Sequence, residues 1–525
     1  MLSRPTWVVS HRPTCGGHLN SVKKNHVSLS LTPLQKRSPR LRRPKRCWGY
    51  WGEKVTVKIA LPKGRLLETT SALLQAADWG LEDYDESMRN YRLQSRRFTD
   101  LQAKVFNERD IPVQVAIGNY DLGICGLDWV EELSIKFTSA ALVRLRDLGY
   151  GEGILCLAAS RSQPVLNLEE LRVEPDLIRI ASEYPNLAEH LALSQRLRRF
   201  SIFPLWGAAE AYPPESATLA LLSCRTEQDV LDRGLVPVNV IQNNSALLIA
   251  NRSSWEQKNL SEIVESIDRQ LPLSVTNRKE TAAKKPAGMG YEPWQADEDT
   301  VRIALPDGHQ QAPTAKLLGN AGIRVEDYPS ENGNRRPAAD IEGVVIKVIR
   351  PQDMPLQVAN GNFDLAITGR DWLTDHLAVF PSSPATELLD LKSSKVKIVA
   401  VVSNEVPADD IFSLRQLVTR QNTPFRVASE YVNIADKYAR DNHLGMYKVV
   451  PTWGATEAFL PEDADLLIEN TETGRTIARH NLKIIDTLFK STGCLIGNKD
   501  AATSPLKKER IRLIVEKLEA AVGRE

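Results

Sequence analysis

Apolar and polar positions alternate along this chain in two kinds of pattern. Short apolar runs bounded by glycine or charge indicate buried strands, and the clearest is Val57–Leu61, which leads into a turn at Gly64. After that turn, Leu66–Ala77 has apolar residues at the spacing of a helix. Further strands are predicted at Asp121–Ile124, Ile154–Ala159 and Ile178–Ala181. Alternation of strands and helices predicts an α/β fold with mostly parallel sheets.

The whole pattern occurs twice. The run Val57-Lys-Ile-Ala-Leu-Pro-Lys-Gly64 returns as Val301-Arg-Ile-Ala-Leu-Pro-Asp-Gly308, and Trp206-Gly-Ala-Ala-Glu-Ala211 returns as Trp453-Gly-Ala-Thr-Glu-Ala458. Because the offset between matching segments stays between 243 and 247 residues, one domain of about 220 residues has been duplicated.

The repeat sets the expected domain boundaries. Copy one covers residues 54–272 and copy two covers residues 300–525, with a polar Lys-, Ala-, Gly- and Pro-containing linker at 273–299. Ile263–Leu271 and Ile511–Val522 are predicted to be the closing helices of the two copies. Residues 1–53 are a basic N-terminal extension that we expect to be disordered or an over-extended start; a transit peptide for organellar import and a basic nucleic-acid-binding arm are the alternatives.

Composition and charge narrow the classes of protein that the chain can be. Hydrophobic residues make up 42% and charged residues 25%, as in soluble globular proteins. Residues 1–52 carry eleven Lys or Arg and no Asp or Glu, which leaves 56 basic against 66 acidic residues in the rest. An acidic body binds nucleic acid poorly, and no apolar run approaches the roughly 20 residues that span a bilayer. We therefore expect neither a nucleic-acid nor a membrane partner.

The six scattered cysteines, without a CxxC pair, favour a reducing, cytoplasmic setting.

The strongest local signal surrounds the predicted buried strand Leu466–Ile468. Asp465 and Glu469 bracket this strand, and the turn after it contains Glu472, Thr473, Gly474, Arg475 and Thr476. Glycine lets the backbone approach an anion closely, and backbone N–H groups with threonine hydroxyls can then surround a phosphate. The two acids suit the hydroxyls of a sugar, or a metal ion bound with a diphosphate. An ordinary strand-to-helix turn capped by threonine has the same residue types.

This loop resembles the phosphoribosyl-diphosphate loop of the ATP phosphoribosyltransferase family. Members of that family are the first enzyme of histidine biosynthesis. The resemblance covers nearly all of residues 55–525 and includes four further segments in the family order: Leu61–Leu66, Arg109–Pro112, Gly118–Asp128 and Ala181–Asn186. It implies a class II periplasmic-binding-protein-like fold with two α/β lobes per copy. It also implies ATP and phosphoribosyl diphosphate as substrates and Mg²⁺ as the cofactor.

The implied reaction requires no covalent enzyme intermediate. N1 of adenine attacks C1 of the ribose and diphosphate leaves, so positioning and electrostatics carry the catalysis. On this interpretation Lys63 and Arg65 act on the diphosphate, Asp465 and Glu469 hold the ribose hydroxyls, and the Glu472–Thr476 loop holds phosphate. We expect Mg²⁺ to be held mainly through the diphosphate, and the ligands that the protein adds remain unassigned. Members of the family's short form pair with a regulatory subunit that resembles histidyl-tRNA synthetase, which makes such a subunit a candidate partner.

The two copies depart from the family pattern in opposite ways. Copy one keeps Lys63 and Arg65, but its loop has lost both acids and carries Glu227 in place of the glycine. Copy two keeps the loop, but Asp307 and His309 replace the lysine and the arginine. Two independent sites, or one live copy beside a dead one, would keep both features together in a copy.

This complementary loss suggests a composite site. We hypothesise that the copies pack as an intramolecular pseudo-dimer, in which each supplies part of one centre; the pair could also form a higher homo-oligomer. In the rival account, copy two uses its own Arg350, Arg370 or Arg475 as the cation. Two other functions stay open at this stage: a non-catalytic nucleotide sensor or regulatory subunit, and a phosphoribosyltransferase for a different acceptor base.

Overall fold

A computed structural model of the protein describes residues 56–88, 90–137, 141–162, 167–271, 297–330, 333–419, 423–501 and 504–523. The expectations for residues 1–53 and for most of the linker, 273–296, fall outside these ranges. Within them, residues from copy one and copy two belong to one compact unit. No helix in the described ranges has the length and apolar character that crossing a membrane requires.

Copy one folds into two lobes, and the chain passes between them twice. Its strands are β1 (Val57–Lys63), β2 (Arg92–Gln94), β3 (Leu101–Asn107), β4 (Leu122–Gly126), β5 (Leu142–Asp147), β6 (Gly153–Ser160), β7 (Ile178–Ser182), β8 (Phe200–Pro204), β9 (Leu219–Cys224), β10 (Leu235–Asn244) and β11 (Ala246–Asn251). Its helices are α1 (Leu67–Ala76), α2 (Ile111–Ala116), α3 (Leu127–Lys136), α4 (Leu168–Val173), α5 (Pro185–Ser194), α6 (Glu227–Asp232), α7 (Arg252–Gln257) and α8 (Ser261–Asp268).

Copy two repeats this layout. Its strands are β12 (Val301–Pro306), β13 (Val344–Ile349), β14 (Leu365–Gly369), β15 (Ala385–Asp390), β16 (Val396–Ser403), β17 (Phe425–Ser429), β18 (Tyr447–Pro451), β19 (Leu466–Thr471), β20 (Leu482–Ser491) and β21 (Gly493–Asn498). Its helices are α9 (Gln311–Asn320), α10 (Met354–Ala359), α11 (Arg370–Val379), α12 (Ile411–Val418), α13 (Val432–Asp441), α14 (Arg475–Arg479) and α15 (Pro505–Val522).

The sheets confirm the predicted two-lobed fold and its duplication. The first lobe has the strand order β2-β3-β1-β4-β11-β5 in copy one and β13-β12-β14-β21-β15 in copy two. The second lobe has β10-β6-β9-β7-β8 in copy one and β20-β16-β19-β17-β18 in copy two. Apart from the extra edge strand β2, the orders correspond one to one. This is the arrangement of class II periplasmic-binding-protein-like domains.

The expectation of mostly parallel sheets is wrong, because the sheets are mixed. In the first lobe of copy one, β1 runs parallel to β3 and β4, whereas β11 runs antiparallel to β4 and β5. The chain leaves this lobe after β5, builds the second lobe, and returns along β11. A strand that returns from the other lobe enters the sheet from the opposite end and therefore runs the opposite way.

The first lobe of each copy packs against the second lobe of the other copy. Phe106 and Ile111 of copy one share a buried apolar cluster with Phe459 of copy two. On the other side, Tyr212 of copy one shares a buried cluster with Met354 of copy two. Burial of apolar surface is the main favourable term in such association. These clusters hold the two copies together without leaving either inner face open to water.

Polar contacts across the interface also recur in pairs. The Lys104 ammonium of copy one donates to Glu462 at 2.9 Å, and the Lys347 ammonium of copy two donates to Glu215 at 2.7 Å. These two pairs occupy matching positions in the repeat. The duplicated chain therefore forms the predicted intramolecular pseudo-dimer, with a pseudo-twofold relation between its halves.

Candidate active site

The predicted phosphate loop connects β19 to α14. Gly474 has a φ of +75°, a left-handed conformation that glycine adopts without strain. Its N–H donates to the Thr471 hydroxyl at 2.9 Å, and the Arg475 N–H donates to the Thr473 hydroxyl at 3.4 Å. Glu472, Thr473, Arg475 and Thr476 are exposed, and a Cβ at Gly474 would meet nothing closer than 3.8 Å. The loop is thus preformed and open, and the glycine is needed for conformation rather than for space.

The structure does not bring Asp465 to this loop. Asp465 precedes β19, whereas the loop follows that six-residue strand, so about 20 Å of extended backbone separates them. The Asp465 carboxylate accepts from the backbone N–H of Arg426 at 2.8 Å and from its guanidinium at 2.9 Å. We therefore correct its assignment to the ribose hydroxyls: Asp465 fixes Arg426 at the opposite end of the sheet.

Glu469 lies instead in a group of three acids. It sits on β19, while Glu430 follows β17 and Glu457 belongs to a short 3₁₀ helix, Thr456–Phe459. Burial, followed by the charges of Glu430 and Glu457, raises the pKa of Glu469 well above its ordinary value. Burial also raises the pKa of Glu430 to about 7, against the N–H of Gly454, which stabilises its charge. Acids whose pKa is raised this far by burial and by one another are characteristic of ligand sites.

Lys63 of copy one reaches this acid group across the interface. Its positive charge lowers the pKa of Glu430, opposing the effect of burial. The Lys63 ammonium lies 5.3 Å from the centre of the Tyr91 ring, and Tyr91 stacks on His480, with the ring centres 5.6 Å apart and the planes at 11°. His480 directly follows α14, the helix that begins at the phosphate loop. Residues of copy one therefore contribute to the surroundings of the copy-two loop.

Arg65 does not accompany Lys63. Its guanidinium donates to Asp128 at 2.8 Å and to Glu108 at 3.1 Å, both in the first lobe of copy one. It also donates to Ser223 of the second lobe at 3.3 Å. These bonds tie the two lobes of copy one together, so that Arg65 closes its own cleft and does not face copy two.

Between the two lobes of copy two, by contrast, lies an open cleft. It contains about 620 Å³ of empty space, including its mouth. Its lining includes Asp307, His309, Arg350, Gln352, Trp372, Glu430, Tyr431 and Asn470. Asn470 stands next to Thr471 at the start of the loop, so the cleft and the loop adjoin. Of the rival cations, Arg350 lines the cleft and lies 3.3 Å from the Asp307 carboxylate, whereas Arg370 is paired with Glu387 and Asp390 outside the lining.

The matching loop of copy one already holds an anion of its own. Asp229 stands where copy two has Thr476, and its carboxylate accepts the backbone N–H groups of Arg225 and Thr226, both at 3.0 Å. Thr226 in turn accepts the N–H of Asp229 at 3.3 Å. The backbone donors that a phosphate could use are therefore occupied by a side chain of the same loop.

Sequence reasoning missed Glu430, Glu457 and Tyr91 as members of the site. A signal for the two acids was present, because each copy has a glutamate in the Ala-Ser-Glu-Tyr and Trp-Gly-Ala-x-Glu-Ala segments. Nothing in the sequence placed Tyr91 beside His480, since these residues come from different copies and meet only through the packing of lobes.

Comparison with known proteins gives one family. The family model described as "HisG: ATP phosphoribosyltransferase" matches residues 107–271 and 350–520, which is one match in each copy. The ATP phosphoribosyltransferase of Chlorobaculum parvum is 32% identical over 230 residues, covering 43% of this chain and 72% of that protein. That of Chlorobium phaeovibrioides is 31% identical over 229 residues, covering 42% and 72%. Among solved structures, the ATP phosphoribosyl transferase (HisG:HisZ) complex from Thermotoga maritima matches with a TM-score of 0.36 and 19% identity, over 43% of this chain and 100% of that chain.

Proposed function

The chain belongs to the ATP phosphoribosyltransferase family, and on that premise we propose that its reaction centre lies in the copy-two cleft and is completed by Lys63 of copy one. The reaction is the first step of histidine biosynthesis. It moves the phosphoribosyl group of phosphoribosyl diphosphate to N1 of ATP and releases diphosphate.

One observation carries this assignment. In copy two, Glu430 lines an open cleft and interacts with Glu457 and Glu469, and the positive charge of Lys63 acts on Glu430. In copy one, the counterparts of the first two acids face arginines, and Leu222 replaces the third. Among the described residues, the copy-two group therefore keeps a third acid and an open cleft beside it, whereas the copy-one pair faces arginines.

Each part of the site has a task in the transfer. The loop Thr473–Thr476 binds the phosphate of the ribose phosphate through its threonine hydroxyls and through backbone N–H groups that exchange their bonds to the Thr471 and Thr473 hydroxyls for bonds to the phosphate. Glu469 and Glu430 accept from the ribose hydroxyls and stabilise the positive charge that grows on the ribose as diphosphate departs. Lys63, with Arg350 and Arg475, stabilises the negative charge on the leaving group. Holding both substrates in line lowers the barrier, because the loss of their translational and rotational freedom occurs on binding and not in the reaction step.

Among the described residues, no group of three or more acid, histidine or cysteine side chains is placed to hold a metal ion by itself, so the expected Mg²⁺ would depend mainly on the diphosphate. Carboxylate and phosphate oxygens are its preferred ligands, and it usually keeps few protein ligands and binds through substrate phosphates. Glu430 and Glu469 supply carboxylates beside the place proposed for the diphosphate. The ion would add positive charge on the leaving group when bound.

The proposed compartment and partners are those expected for a member of the family. We propose that the enzyme works in the cytoplasm, with ATP and phosphoribosyl diphosphate as its small-molecule partners. A regulatory subunit resembling histidyl-tRNA synthetase is the protein partner to test, by co-purification with the full chain.

The experiment that tests the composite centre compares two cations of copy one. Lys63→Met should lower kcat by about 100-fold or more, because a charge facing the transition state is lost, and should leave the melting temperature nearly unchanged. Arg65→Met should act chiefly on stability, because it leaves Glu108 and Asp128 without their shared partner. Formation of phosphoribosyl-ATP is followed by absorbance, with the exposed lysine variant Lys508→Met as control. Wild-type turnover by Lys63→Met would remove copy one from the centre and favour Arg350 as the cation.

A further inference from the structure

Gln352 is a half-buried residue that the proposed reaction does not use. It lies between β13 and α10 and lines the copy-two cleft together with Glu430 and Trp372. Its side-chain oxygen, Oε1, is shielded from solvent, and no described residue donates a hydrogen bond to it. Buried acceptors in folded proteins nearly always have a donor. An acceptor left open on the wall of a binding cleft indicates that a ligand supplies the donor.

The matching position in copy one has the opposite chemistry. There, Arg109 lies with its guanidinium carbon 4.2 Å from the ring centre of Trp453 and 5.2 Å from that of Trp129. Burial raises the pKa of Glu183, the copy-one counterpart of Glu430, to about 7, and the charge of Arg109 opposes that rise. Copy two therefore has an uncharged acceptor where copy one has a cation beside an acid. The exchange removes a fixed positive charge from the cleft and exposes a carboxamide to it.

The surroundings of Gln352 suit the edge of an aromatic base. Trp372 and Tyr431 pack with ring centres 4.3 Å apart and both line the cleft. Glu430, on the same lining, belongs to the acid group that we assign to the ribose. For N1 of adenine to attack ribose C1, the N1 edge of the base must point toward that ribose. The 6-amino group is next to N1 on the ring, so it must approach the same part of the wall.

We propose that Gln352 determines specificity for the nucleotide acceptor, its Oε1 accepting a hydrogen bond from the 6-amino group of ATP. The bond fixes the base so that the lone pair of N1 faces C1 of the ribose. This inference rests on the proposed function of the copy-two cleft. It adds a residue of this chain that distinguishes a 6-amino purine from one without the amino group.

The test pairs a substrate change with a side-chain change. Purine riboside 5′-triphosphate lacks the 6-amino group and keeps the N1 lone pair. With the wild-type chain, kcat/KM for this analogue should be about 10- to 100-fold below that for ATP, because Oε1 is then left buried without a donor. With Gln352→Met, which has a similar shape and no acceptor, the two nucleotides should become nearly equal. Release of diphosphate measures both reactions.

Two further variants keep the outcome clear. Gln352→Glu retains an acceptor and should keep the preference for ATP, whereas Gln352→Leu repeats the loss in case Gln352→Met does not fold. Equilibrium binding of phosphoribosyl diphosphate reports on folding and should be unchanged in all three. The exposed variant Gln416→Leu serves as the matched control.

The results that would contradict the assignment of Gln352 differ from those that would contradict the proposed function. Equal use of the two nucleotides by the wild type, or the same preference in wild type and Gln352→Met, overturns the assignment of Gln352. Weaker binding of phosphoribosyl diphosphate with an unchanged nucleotide preference would place the donor on the ribose and also overturns it. If the wild-type chain forms no phosphoribosyl-ATP at all, the proposed function itself fails.

Discussion

The two interfaces between lobes are built from matching positions of one repeat, yet they treat charge differently. Where copy two contributes its second lobe, the charge of Lys63 acts on Glu430, and Tyr91 stacks on His480. The lysine there opposes only part of the effect of burial, which raises the pKa of Glu430 to about 7, as burial also does for its copy-one counterpart Glu183. A ligand that brings cations or hydroxyl donors completes this region.

At the other interface, Glu210 and Asp307 have arginine partners. Arg335, at the position of Tyr91, donates to Glu210 at 3.2 Å and to Asp307 at 2.8 Å. Arg233, at the position of His480, lies 3.9 Å from the same glutamate. Copy two thus has Asp307 at the position of Lys63, and it has Arg335, which pairs with Asp307, at the position of Tyr91. These ion pairs give Glu210 and Asp307 cationic partners within the fold.

The sharpest way to break this contrast is to give copy two the acid that copy one has. Gly474→Glu should abolish binding of phosphoribosyl diphosphate and lower kcat/KM by about 1000-fold or more, because a carboxylate would stand where phosphate binds. Equilibrium binding and turnover measure it. Gly474→Ala separates the effect of charge from the strain of a side chain at φ +75°, and Glu227→Ala in copy one is the matched control. Normal affinity in Gly474→Glu would remove the loop from the site.

A second change removes from copy two the acid that copy one lacks. Glu469→Leu copies the residue that copy one has at this position, Leu222, and should lower kcat/KM for phosphoribosyl diphosphate by about 100-fold, because the growing charge on the ribose loses a carboxylate. Steady-state kinetics with ATP saturating measures it. The exposed Glu516→Leu on α15 should have no effect. A loss below about threefold would show that the acid group does not act on the ribose.

The pH dependence sharpens the contrast further. Since Glu430 has a pKa of about 7 in the fold and an ordinary value of 4.5, it is largely protonated below pH 7. We expect kcat/KM for phosphoribosyl diphosphate to rise with pH, by up to about tenfold per unit below 7, and to level off above. Stability should run the other way: the unfolded chain releases this proton first, so the contribution of Glu430 falls between about pH 4.5 and 7. Glu430→Gln should flatten both profiles, and an unchanged activity profile would exclude this acid.

How far the sequence could lead depends on whether a feature is local. The duplication, the strand β1, the helix α1 and the loop at Gly474 all rest on short runs of residues, and the structure contains each of them. Asp465 shows the limit of such reasoning, because an acid at either end of a strand looks alike in the sequence while only one end faces the cleft. Whether Lys63 and Arg65 act together was equally hidden. These residues are only two positions apart in copy one, yet Lys63 acts on Glu430 of copy two, whereas Arg65 pairs with Glu108 and Asp128 of its own copy.

The acid group and Gln352 could not be predicted for a related reason. Glu430, Glu457 and Glu469 come from three separate segments, and only the sheet order brings their carboxylates together. An acceptor without a donor is a property of the packed cleft and leaves no mark in a motif. The repeated glutamates of both copies were a signal of shared ancestry, but they did not reveal which copy leaves its acids without a full complement of cations.

The smallest expected effect concerns the two interfacial lysines, whose surroundings differ by one carboxylate and by the tyrosine hydroxyl that donates to it. The Lys104 ammonium donates to Glu462 and also to Asp463, at 2.8 Å. At the matching place, Lys347 meets Glu215, and Ser216 stands where copy two has Asp463. The backbone is alike at both places, because the N–H of Ser216 donates to Tyr212 and that of Asp463 donates to Phe459. Burial and Arg336 lower the pKa of Lys347 to about 7, so a second carboxylate should favour its charged form.

Ser216→Asp should therefore raise the free energy of unfolding by about 1 kcal/mol at pH 7. The gain should shrink toward pH 9, for a reason that the linkage of protons to folding supplies. In the wild type the folded pKa of Lys347 lies below its ordinary value of 10.5, so the unfolded state binds more protons between these values and stability rises with pH. The added aspartate raises that folded pKa and flattens the rise. Thermal unfolding of the full chain at both pH values measures the difference, with Ser216→Asn as the uncharged control. A lower melting temperature in Ser216→Asp at pH 7, or an equal rise in Ser216→Asn, would show that the missing carboxylate is not what distinguishes the two interfaces.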